Sequence, residues 1–376
     1  MTDNFFRYFS VFCGLIAALS AGLTVSAQQH FSDLSPLSPE QPPNWQAEVG
    51  TSGQLIISAH SECINGVAFS SDGRLIATAG LDGTLRLWDA TTGKYIRGWN
   101  ASGYVLSLAF SPSSDRLFAG TIDHGIHLIE TANWQARIIA KSEEQPQAIA
   151  VTNDAKRIAI GAMQIEVLDG QTYRLLGKIG QNEDGGGNIA FSHDGRLLAT
   201  GTADQVGTVW DMESQKPLFE RRRDYWVTSV AFSPDDRLVA MASFARNASS
   251  QTLEIELLDP RTGQLSRSLI GEQLTGHIHS EASVLFWPDN NLLISCLRGA
   301  HDTGKVENGI IETTAEENVA IWSLETNLMI AKKPFRGPHK LAVNPKTTRL
   351  AIVSTEGVLE VWDINHFIEA HRLKSK

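Results

Sequence analysis

A phrase that recurs along this chain constrains its fold more than any other feature. VAFSSDGRLIATAGLDGTLRLWD occupies residues 67–89, IAFSHDGRLLATGTADQVGTVWD residues 189–211 and VAFSPDDRLVAMAS residues 230–243. Looser copies begin at residues 108, 149, 284 and 341, which makes seven. Each copy ends in an aromatic or aliphatic residue followed by a polar one, at Trp88, Ile129, Leu168, Trp210, Leu258, Trp322 and Trp362. Successive ends lie 41, 39, 42, 48, 64 and 40 residues apart, the spacing of stacked supersecondary units. Within a copy, residues such as Val67 and Phe69, then Leu75 and Ala77, alternate with neighbours on the other face, as half-buried strands do. Asp72-Gly73 and Asp82-Gly83 supply the tight turns between strands. Each copy therefore reads as a small antiparallel sheet. With 42% apolar and 20% charged residues, the chain has enough apolar surface to build a core from such sheets.

The copies that end in Trp88-Asp89, Trp210-Asp211 and Trp362-Asp363 resemble the WD-repeat (Trp-Asp repeat) β-propeller family. The resemblance covers residues 54–363. It implies an all-β fold, a seven-bladed WD-repeat β-propeller with four-stranded antiparallel blades. It further implies that the last blade is closed by an N-terminal strand, for which residues 54–58 stand in the right place. In the family a His, a Ser or Thr, an Asp and the Trp form a buried hydrogen-bonded set. His60, Thr78, Asp82 and Trp88 match that set in full. Thr200, Asp204 and Trp210 match it without a histidine, and His277, Ser295 and Trp322 match it with Glu316 at the aspartate position. These residues are expected to be structural staples. Cys63 and Cys296 would fall in blades one and six, too far apart for the roughly 5.5 to 6 Å Cα separation of a disulfide.

Outside the repeats, residues 11–25 form an apolar run after Arg7, and Val25, Ser26 and Ala27 resemble a cleavage site. Residues 1–27 are accordingly expected to be a signal peptide and the protein to be exported, periplasmic or extracellular. The alternative is a membrane anchor formed by residues 9–27. Residues 28–53, with Pro36, Pro39, Pro42 and Pro43, read as a Pro/Ser/Gln-rich linker, and residues 364–376 as a C-terminal tail.

Metal and nucleophile motifs such as H-E-x-x-H, C-x-x-C and G-x-S-x-G are absent, so no catalytic, cofactor-binding or metal-binding residue is assigned and no enzyme activity or cofactor is expected. The formal net charge of -10 argues against nucleic acid as a partner and leaves a membrane as partner only if the N-terminal segment is retained. The long spacings of 48 and 64 residues place extra material at residues 244–252 and 297–317, between the second and third strands of blades five and six, and this reads as long loops. The connection into blade five, Arg221, Arg222, Arg223, Asp224, Tyr225 and Trp226, is basic and aromatic. Together with Arg246 it is the expected partner-binding patch, suited to an acidic protein or peptide. The function expected is therefore an exported, monomeric, non-catalytic interaction scaffold. The alternative is an exported propeller enzyme or small-ligand sensor with its site at the mouth of the central channel.

Overall fold

The computed structural model describes residues 34–37, 47–50, 53–180, 188–247, 250–275, 280–307, 310–315 and 317–373. The expected signal peptide, residues 1–27, lies outside them. Seven antiparallel sheets follow one another along the chain. Blade one illustrates the unit: Ile64–Phe69, Leu75–Gly80, Thr84–Asp89 and Tyr95–Asn100 pair in order from the centre outward. Its turns are closed by Gly73 and Gly83 at φ 74° and 75°, a region where a Cβ is costly and glycine is at home.

Apolar residues from facing blades share single clusters, which is what stacks the blades. Leu85, Leu87 and Trp99 of blade one pack with Leu108, Phe110 and Leu117 of blade two, and Phe244 and Ile255 of blade five with Phe286 and Trp322 of blade six. At roughly 1.5 to 3 kcal/mol per buried large aliphatic or aromatic side chain, these seams dominate the stability of the ring.

The ring closes through Leu55–Ser58, which pairs antiparallel with Val358–Asp363 and completes blade seven together with Pro338–Val343 and Arg349–Ser354. Two short pieces of the segment read as a linker are paired in the same manner. Ser35–Pro36 adds to the outer edge of blade one, with Leu34 buried beside it, and Ala47–Val49 adds to the outer edge of Leu55–Ser58. The residues read as a tail are also structured. Asp363 caps a helix, α1 (Ile364–His371), by accepting the N–H groups of Asn365 and His366, a standard way to satisfy the first turn. Phe367 of α1 is fully buried with its ring 5.2 Å from that of Trp362. Arg372 then bridges to Ala331 on the outer strand of blade six.

The insertions of blades five and six depart from the expected loops. Val239–Asn247 pairs with Ser250–Leu258 to its last residue, Asn247 opposite Ser250. Leu292–Glu307 pairs beyond the blade with Ile310–Ala315. Both insertions are extended β-hairpins. Because a second-to-third-strand turn and a fourth-to-first-strand connection occur at the same end of an antiparallel blade, the hairpins rise from the rim that also carries residues 223–228.

Candidate functional site

Blade one shows how this rim is held. The Trp88 indole N–H donates to Thr78 Oγ1 at 2.9 Å, Thr78 Oγ1 lies 2.7 Å from His60 Nε2, and His60 Nδ1 lies 2.9 Å from Asp82 Oδ1. With the Thr78 hydroxyl donating to Nε2, the Nδ1–H is left to donate to the carboxylate, so a neutral imidazole satisfies every link. Asp82 also accepts from the backbone N–H groups of Ser61 and Thr84, the Thr84 hydroxyl and Arg86. These residues are buried and their polar groups are occupied by one another, which makes the set a staple.

The ionisation of the pair follows from this geometry. Burial lowers the His60 pKa below its ordinary value, with Asp82 only partly offsetting it. For Asp82, burial alone would raise the carboxyl, but the hydrogen bonds from His60 and Thr84 and the charge of Arg86 hold it well below the usual carboxylate range. Both folded values lie below the unfolded ones, so both groups contribute stability at neutral pH that is lost on acidification. Loss begins below about pH 6.5 for His60 and below about pH 3.9 for Asp82, the ordinary values of the two groups. Melting temperatures measured between pH 8 and 3 should fall in that order, and Asp82→Asn should flatten the most acidic part of the curve.

Other blades use partial or rearranged sets. In blade four the Trp210 indole donates to Thr200 at 3.2 Å, while Asp204 stands in the turn between Leu197–Gly201 and Val206–Asp211. In blade six Trp322 donates to Ser295 at 2.9 Å, and His277 lies outside the described residues. Blade two holds a set that sequence reasoning missed. His127, on its third strand, places Nε2 3.2 Å from Thr121 Oγ1, which also bonds Asp123. Blade seven replaces the threonine altogether: the Trp362 indole donates to Glu360 at 2.6 Å, and Lys333 of blade six bonds Glu360 at 2.7 Å while lying 4.7 Å from the Trp362 ring centre.

The basic and aromatic segment leading into blade five, expected as the partner-binding patch, is mostly turned inward. Arg221 makes a two-pronged bond to Glu256, at 2.8 and 2.6 Å. Arg223 also reaches Glu256, at 2.6 Å, and bonds Glu254 and Ser243. Burial would raise the Glu256 carboxyl, but the two guanidinium groups hold it below its ordinary value. Tyr225 is buried, stacked on Trp226 at 5.2 Å and edge-on to Phe244 at 6.1 Å, and Trp226 is half-buried against the core of blades five and six. The segment clamps blade four to blade five, and the charges of Arg221 and Arg223 are compensated within the protein. Only Arg222 and Asp224 of this run are exposed, and the side chain of Arg246 lies outside the described residues. Cys63 and Cys296 are both buried and form no disulfide. Among the described residues no group of three or more His, Cys, Asp or Glu side chains is placed to hold a metal ion, and no helix is long and apolar enough to cross a membrane.

The family described as WD domain, G-beta repeat matches residues 53–89, 93–130, 187–211 and 216–248. Among similar proteins, THO complex subunit 3 of Arabidopsis thaliana is 23% identical over 56% of this chain and 66% of its own length. Mitotic checkpoint protein bub3 of Dictyostelium discoideum is 24% identical over 50% of this chain and 62% of its own length. A ribosome biogenesis protein BOP1 homolog of Oryza sativa subsp. japonica is 31% identical over 31% of this chain and 18% of its own length. The chain thus spans less than two thirds of the length of each. Ribosome biogenesis and the mitotic checkpoint are events inside the cell, and these relatives overturn the expectation that the protein is exported to the periplasm or the extracellular space.

Proposed function

We propose that this chain, which belongs to the WD-repeat β-propellers, is a non-catalytic scaffold that holds another protein against the rim bearing the two long hairpins. WD-repeat propellers bind other proteins, and the similar proteins include a complex subunit and a checkpoint protein. The observation that carries the reading is the pairing of Val239–Asn247 with Ser250–Leu258 and of Leu292–Glu307 with Ile310–Ala315. These hairpins extend beyond the four-strand unit on neighbouring blades, and closure of the ring needs neither extension. Material that a fold does not need, raised on one rim of a rigid scaffold, is placed for contact with a partner. Arg222, exposed beside them, belongs to the same face.

Affinity capture with the intact chain, compared with a variant lacking residues 299–314 and shown by circular dichroism to be folded, tests this. The trimmed protein should lose its captured partner. Recovery of the same proteins in the same amounts would remove the hairpin rim as the binding face.

A further inference from the structure

On the opposite rim, the turns between first and second strands are stitched across two of the seams by a side-chain acceptor. Ser114 Oγ of blade two accepts the backbone N–H groups of Ser71 and Asp72 in blade one, at 2.8 and 3.3 Å. Asp236 of blade five accepts those of His193 and Asp194 in blade four, at 2.7 and 2.9 Å. Ser114 and Asp236 hold equivalent places. Their φ angles are 61° and 56°, and their own N–H groups donate to the carbonyl three residues earlier, in Ser111 and Ser233, at 2.9 Å in both.

Asn290 is the equivalent residue of blade six, with φ 64° and its N–H donated to Trp287 at 3.0 Å. In blade five, the position that Ser71 holds in blade one is held by Pro234, which has no N–H to give. Asn290 Oδ1 is buried and has no hydrogen-bond partner among the described residues. At this unstitched seam a cavity of about 400 Å³ opens; most of its lining residues are polar or charged, Asp235, Arg237, Arg267, Glu325 and Asn290 among them, and its apolar part is Leu238, Phe286 and Leu324.

We propose that this cleft between the lower turns of blades five and six is a second binding site, taking an extended peptide segment of a partner protein. The backbone N–H of the segment donates to Asn290, and one of its apolar side chains lies on Leu238, Phe286 and Leu324. A peptide is the occupant because the acceptor is satisfied at the two stitched seams by consecutive backbone N–H groups, which an extended chain reproduces. A buried acceptor without a donor destabilises the free protein, so a ligand that brings the donor gains what the seam lacks. The site uses no part of the hairpin rim. It rests on the scaffold reading only for the partner being a protein.

Two substitutions act on the missing bond from opposite sides. Pro234→Ser restores the N–H that Ser71 supplies in blade one, and Asn290→Gly removes the acceptor while tolerating the left-handed backbone. Pro234→Ser should melt higher than the parent, and the rise should vanish in the double variant. For binding, the probe is a heptapeptide library displayed on phage, panned against the intact chain. The enriched sequences are then synthesised with a fluorophore and titrated by anisotropy. At least one should lose about tenfold or more in affinity in each single variant and bind the chain lacking residues 299–314 unchanged. Enrichment of no peptide, or only of peptides that bind the parent and both variants equally, would overturn the proposal. Failure of the hairpin rim is read separately, from the trimmed variant in affinity capture.

Discussion

Deleting the chain through Ser58 should abolish cooperative folding, whereas deleting only through residue 46 should lower the melting temperature modestly. Among the described residues Leu55–Ser58 supplies the only outer neighbour of Val358–Asp363, and its Ile57 is fully buried where blades seven and one meet. Loss of that side chain alone costs about 2 to 5 kcal/mol, and the ladder bonds and a newly open edge add to it. The sum approaches the whole stability of a typical domain, about 5 to 15 kcal/mol. The shorter deletion removes Ser35–Pro36 and the buried Leu34 but leaves the ring closed. Thermal melts of both truncations and of Ile57→Ala decide the matter. Equal melting temperatures for the two truncations would show that closure does not depend on Leu55–Ser58.

The second large effect is expected at Trp88. Its side chain is fully buried and its N–H is bonded to Thr78, so Trp88→Ala should cost about 3 to 5 kcal/mol. Trp88→Phe keeps most of the volume and should cost about 1 to 3 kcal/mol, the range for leaving a buried partner unsatisfied. Trp210→Phe should cost less, because Trp210 is only half-buried and its bond to Thr200 is longer, at 3.2 Å. Urea denaturation of the three variants orders them. A Trp210 effect equal to that of Trp88 would mean that the complete set in blade one contributes nothing beyond its packing.

Much of the fold was legible because blade-forming strands carry their own signature. Inner strands such as Leu75–Gly80 and Thr84–Asp89 are buried on both faces against neighbouring blades and so carry apolar runs, and Asp-Gly pairs mark the tight turns in the copies that have them. The hairpins in blades five and six were read as loops for the converse reason. The pairs Arg246–Gln251 and Asn247–Ser250 extend the blade-five ribbon through a stretch, residues 244–252, whose sequence carries no apolar alternation. Ser35–Pro36 and Ala47–Val49 are too short to show a period, and the proline content around them suggested a linker.

The candidate site was less legible than the fold. Arg221 and Arg223 look like unpaired surface charge in sequence, but Glu256 and Glu254 lie 35 and 31 residues later and reach them only when blades four and five stack. His127 was missed because its set is rearranged, with the histidine on the third strand instead of ahead of the first. The Glu360 that replaces threonine beneath Trp362 has its cation on another blade.

Sequence by itself determined the seven-unit repeat through local spacing, and its resemblance to the WD-repeat family implied the four strands in each unit, the closing strand and the complete set around His60. Tertiary structure alone decided which charges are compensated, which insertions become ribbons and which seam is left unstitched at Pro234 and Asn290. Those outcomes depend on contacts between blades, where residues tens of positions apart are brought within about 3 Å and the energy of a charge or an N–H is set by what the neighbouring blade presents to it.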